Sequence, residues 1–294
     1  MKMRTKTIVK QLLAAFATTI AVQGAAQAAT TFQFDTGAIA GSTTNFSFLT
    51  NEMTFTAIGT PSITLTDSNN DGVIGGADDF AEIGITSIVN FQLNNANIPV
   101  GTTGVNNLYE LIVHFNFLGT AGIVGSNAVA TFTSGSATIF YDEVVNSSSA
   151  GGVAIAQLTI PSANGSQCVL TGPGLAEGSC GLVLKFDALG ITDPDVWTVD
   201  GTDLGDLDAV AELDVDVDNV TPPFSLLYAG YGTTCGRDAV TGAILPLCVQ
   251  NVTTDQDGSA VLNVPEPGTV ALLGISLLGL AGSRRRKAGS VVAV

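Results

Sequence analysis

The side chains of this 294-residue chain that could do chemistry are unevenly chosen. There are 26 acids, 10 bases, four cysteines and a single histidine, His114. Zinc is disfavoured, because no Cys-x-x-Cys pair exists and only one imidazole is present. A serine-hydrolase triad would have to use His114, yet no Gly-x-Ser-x-Gly elbow accompanies it. Gly172-x-Gly174-x-x-x-Gly178 misses the spacing of a dinucleotide loop. No pair of carboxylates is singled out for glycoside hydrolysis. What the chain does collect is oxygen. Residues 67–78 read Asp-Ser-Asn-Asn-Asp-Gly-Val-Ile-Gly-Gly-Ala-Asp. This places the carboxylates of Asp67, Asp71 and Asp78 around a glycine-rich turn, and a hard divalent cation needs such oxygens to replace its hydration shell.

The segment resembles the twelve-residue calcium loop of EF-hands, and more closely the dockerin form, which ends in Asp. The resemblance implies Ca2+ as a structural cofactor. Asp67, Asn69 and Asp71 would supply side-chain oxygens, Val73 its carbonyl, Gly75 a water and Asp78 the closing carboxylate. Gly72 fits the sharp turn, and Ile74 packs beneath it. Residues 62–66 read as a strand, so no helix precedes the loop, and the second copy of true dockerins is missing. The expectation is a calcium loop grafted onto a β scaffold. An Asn-Asp-Gly hairpin turn is the alternative.

Cys168 and Cys180 are 12 residues apart, and Cys235 and Cys248 are 13 apart. An exported chain meets an oxidising compartment, where disulfides are the default. Of the three possible connectivities the local one, Cys168–Cys180 with Cys235–Cys248, is expected.

The elements that must position these groups read as strands. From Thr30 onward no stretch keeps a helical period. Short alternating or apolar runs, such as residues 53–58, 83–93, 128–133, 153–160 and 181–186, are separated by Gly, Asn, Ser and Pro. In residues 108–118, Tyr109, Leu111, Val113, Phe115 and Phe117 share one face, as in a half-buried antiparallel strand. The fold class is all-β, and a strand spacing near ten residues predicts an antiparallel β-sandwich or jelly-roll-like ectodomain over residues 29–263. The stretch from about residue 190 is a candidate subregion. Asp193 to Asp218 holds ten acids. Four of them, Glu212, Asp214, Asp216 and Asp218, alternate with apolar residues, which predicts a solvated edge strand, with cation capture as the other option.

The ends are written differently. Eight of the ten basic residues lie there, leaving Lys185 and Arg237 between them. Residues 1–28 form a signal peptide: a basic start, the 11-residue apolar run 12–22, and Ala26-Gln27-Ala28 as cleavage site. At the other end come Pro265-Glu266-Pro267, an uncharged 16-residue stretch at 268–283, and Arg284-Arg285-Arg286-Lys287. That stretch is a marginal transmembrane helix, and the basic cluster stays in the cytoplasm. Residues 288–294 are a tail. The order of features over residues 264–287 resembles the PEP-CTERM proteins. The resemblance implies recognition by exosortase, a precursor held in the inner membrane of a Gram-negative bacterium, removal of the tail near the motif, and exopolysaccharide as a matrix partner. Residues 105–111 and 137–142 are loosely similar to the flocculation-associated members.

The expected function is therefore a non-enzymatic cell-surface or matrix protein of a biofilm or floc. A calcium-dependent carbohydrate-binding module and an extracellular hydrolase are the rival classes. Nucleic acid is excluded as a partner by a formal net charge of −16.

Overall fold

A computed structural model describes residues 30–68, 78–145, 152–161, 166–171, 175–187, 195–221 and 249–264. They are almost entirely strand. In chain order these are β1 (Phe32–Asp35), β2 (Ser47–Thr50), β3 (Glu52–Ala57), β4 (Ser62–Thr66), β5 (Asp78–Leu93), β6 (Ala96–Asn97), β7 (Glu110–Val124), β8 (Asn127–Asp142), β9 (Val153–Thr159), β10 (Gln167–Thr171), β11 (Glu177–Phe186), β12 (Trp197–Val199), β13 (Thr202–Asp203), β14 (Val210–Thr221) and β15 (Val249–Asn263). A 3-10 turn (Thr36–Ala38) follows β1, and a short helix, α1 (Val100–Thr103), lies between β6 and β7.

The main sheet closes on itself. Its ring runs β3-β5-β7-β8-β10-β11-β14-β15 and back to β3, antiparallel throughout. Two of the eight wall positions are shared. β3 lies against residues 257–261 of β15, and β4 takes the same position against residues 249–253. Likewise β10 lies against residues 128–131 of β8, and β9 against residues 136–141.

The sandwich or jelly-roll expectation is thus corrected to an eight-stranded barrel with extra strands. Alternation buries one face of each strand equally well in either architecture. Closure comes from the β8–β10–β11 pairings, which join the two ends of the sheet and leave no open edge there. The solvated-edge reading of residues 212–218 is corrected with it. β14 lies inside the wall, paired with β11 on one side and β15 on the other.

The alternation itself holds. On β14, Ala211, Val215 and Val217 are buried, while Glu212, Asp214, Asp216 and Asp218 are exposed. A barrel embedded in lipid shows the opposite pattern, apolar outside and polar within, so the outer face of β14 is a water-facing one.

A four-stranded sheet, ordered β13-β12-β1-β2, closes one end. Its Phe34 packs on Trp197 at 4.4 Å and on Phe91 of β5 at 5.5 Å, and Phe48 meets Phe91 at 4.9 Å. Phe32, Phe34, Phe91, Phe186 and Trp197 are all at most 1% exposed. Inside the wall, two glycines make room for rings. A Cβ at Gly84 would lie 2.3 Å from the Phe115 ring, and one at Gly258 would lie 2.7 Å from Phe55.

Candidate functional site

The β4–β5 pairing sets Thr66 opposite Asp79. It therefore brings Asp67 and Asp78 together where the chain leaves β4 and enters β5. Both are buried, at 2% and 0% exposure, and the Ser68 N–H donates to Asp78 Oδ1 at 3.2 Å. The remaining expected ligands, Asn69, Asp71, Val73 and Gly75, lie outside the described residues. A strand precedes the loop, as the sequence indicated.

The acids of β14 meet more acids. Register sets Asp216 opposite Asp257 and Asp218 opposite Asp255 on the outer wall. Like charges directly opposite are unfavourable, and neutral donors offset this. Asn219 Nδ2 donates to Asp255 Oδ2 at 3.1 Å, and Thr56 Oγ1 donates to Asp257 Oδ1. The sequence showed the alternation on β14 but not the facing row.

Cys168 and Cys180 are direct cross-strand partners on β10 and β11, and they form the expected disulfide. Cys235 and Cys248 lie outside the described residues. His114 packs its ring on Phe140 at 5.0 Å, and among the described residues its buried Nε2 has no hydrogen-bond partner. Trp197 is fully buried in the cap, so it offers no sugar platform.

Two glutamates escaped sequence reasoning. Glu143, just past β8, holds the loop between β1 and β2. Its carboxylate accepts from the Thr43 N–H at 2.5 Å, Thr43 Oγ1 at 2.6 Å, Tyr141 Oη at 2.9 Å and Ser42 Oγ at 3.0 Å. The hydrogen bonds from Thr43 hold its pKa down at about 2. Glu82 on β5 points into the barrel and is 5% exposed, with Gln256 Nε2 of β15 donating to its Oε1. Burial pushes its pKa up to about 7, although the Gln256 hydrogen bond opposes the rise. A signal for Glu82 was present: it takes the inward phase of β5 together with Phe80 and Ile88.

The two chain exits meet at the capped end. The Thr30 N–H donates to the Leu262 carbonyl at 3.2 Å, and the Val264 N–H donates to Thr30 Oγ1 at 3.3 Å. The motif Pro265-Glu266-Pro267, the stretch expected to cross the membrane and the cluster Arg284-Arg285-Arg286-Lys287 lie beyond the described residues, as does the expected signal peptide at residues 1–28. Among the described residues no helix is long and apolar enough to cross a membrane.

Residues 263–286 match the PEP-CTERM protein-sorting motif. The chain is thereby marked as an exosortase-targeted, secreted surface protein, exported through a membrane-anchored precursor. No curated protein and no solved structure matches it.

Proposed function

We propose that the mature protein is a non-enzymatic surface or matrix component that holds cells and exopolysaccharide together in a biofilm or floc, with Ca2+ in the loop at residues 67–78. The observation that carries this reading is the placement of the chain ends. The sorting segment begins where β15 ends, beside Thr30, two residues past the expected signal peptide. The barrel is therefore carried by its capped end. The β4–β5 and β14–β15 connections leave from the opposite end, away from the membrane. The buried pair Asp67 and Asp78 supports the calcium part, because it sets two carboxylates at the root of the loop, and a hard cation takes such oxygens as ligands.

The reading is tested by deleting the gene and restoring either the wild-type protein or Asp71→Ala. Wild type should restore aggregation in calcium, and Asp71→Ala should restore much less. A deletion strain that aggregates normally overturns the adhesive role. For the purified protein, calcium at about 100 times Kd should add about 2.7 kcal/mol of stability. Equal melting shifts for wild type and Asp71→Ala would reduce the loop to a turn.

A further inference from the structure

The barrel encloses two cavities, of about 80 and 40 Å³, and Glu82, Phe132 and Gln256 line both. We propose that this lumen is a binding site for a compact alkylamine, with its ammonium against the Glu82 carboxylate and its hydrocarbon chain in the larger cavity.

Three observations converge on that ligand. The larger cavity is walled mainly by apolar side chains, among them Met53, Ile88, Phe117 and Leu182. Water entering such a space finds few partners away from Glu82, Gln256 and Thr86, whereas a hydrocarbon chain needs none. The second observation is the carboxylate. Oε1 accepts from Gln256, and among the described residues no donor reaches Oε2. Among the described residues the lumen holds no cation either, since Lys185 pairs with Asp208 on exposed side chains. A buried carboxylate without a counter-ion is costly, and a ligand ammonium removes that cost. Burial has already moved this carboxyl well above the usual range. The third observation is size. A dry cavity of about 150 Å³ accepts the six carbons of benzene, so roughly half that volume suits about three heavy atoms, a two-carbon chain with its ammonium.

The wall changes strands at the level of Glu82 and Gln256. Residues 254–256 of β15 pair with neither β3 nor β4, and the Thr254 N–H bonds to the Pro61 carbonyl instead. A ligand entering at this seam separates no ladder pair of either strand.

Equilibrium dialysis of the full chain with ethylamine and its neutral isostere ethanol tests the proposal. Ethylamine should bind saturably in the millimolar range, and ethanol at least tenfold more weakly. Glu82→Gln should weaken ethylamine at least tenfold and leave ethanol unchanged. Ala137→Leu, which fills the larger cavity, should abolish binding of both; Ala211→Val replaces it if that variant does not fold. Failure of ethylamine to saturate overturns the site. Equal binding of ethylamine to wild type and Glu82→Gln, or equal binding of amine and alcohol, overturns the assignment of an amine.

Discussion

The two ends of the barrel differ in chemistry. At one end β1, β2, β12 and β13 lay a cluster of aromatic rings over the opening, and the clasp around Glu143 ties the β1–β2 loop down. The other end has Asp67 and Asp78 buried side by side at the root of the β4–β5 connection. Ring packing is apolar burial, whereas the distal pair gathers carboxylate oxygens where the chain leaves β4 and enters β5. The end that carries the sorting segment is thus held by rings and a hydrogen-bonded clasp, and the distal end gathers buried carboxylates.

The contrast breaks most sharply at Trp197. Trp197→Ala opens a cavity under the cap and should cost about 3–5 kcal/mol, measured by chemical denaturation. Leu65→Ala, near the distal end, should cost less. Equal losses would mean that the cap is no firmer than the rest of the wall.

Removing the disulfide sharpens the same contrast. Cys168→Ala with Cys180→Ala should cost about 3 kcal/mol in the chain-entropy model. Hydrogen exchange should rise first in β10 and β11 and leave Phe34 and Phe91 protected. Loosening of the cap instead would show that the ends are not independent.

Glu82 lies between the ends and carries the opposite sign. Its carboxyl is raised from 4.5 to about 7, so folding disfavours the charged form. The neutral carboxyl leaves stability intact below pH 4.5, and stability is lost as pH rises through about 7. Glu82→Gln should therefore be the more stable protein at alkaline pH, by on the order of 3 kcal/mol, with no difference in acid. Parallel pH curves for the two proteins would contradict this.

The smallest effect belongs to Glu143. Its depressed carboxyl contributes above pH 4.5 and loses that contribution as pH falls through about 2. The group is near the surface, so the expected consequence is local: the Thr43 and Thr44 amides lose protection in acid. Glu143→Gln should show that loss at every pH. Protection that persists in the variant would assign the loop's order to the rings beneath it.

Some of this was legible in the chain and some was not. The acids of β14 declared their outward face, because side chains alternate with a period of two whatever the strand pairs with. That Asp216 faces Asp257 was not legible, since the partner lies 41 residues away and its register depends on the whole ladder. Glu82 interrupts an apolar face, which marks it as unusual. Its partner Gln256 is 174 residues further on. The Cys168–Cys180 bridge was readable because one short hairpin holds both residues.

By itself the sequence determined the strands' buried and exposed faces, the local disulfide and the sorting motif at residues 263–286, because each is written in neighbouring residues. Tertiary structure decided that the sheet closes into a barrel, that Thr30 meets Val264, and that a glutamate ends up inside an apolar lumen. These depend on pairings between distant strands, whose register is set by many weak contacts acting together and by no single local signal.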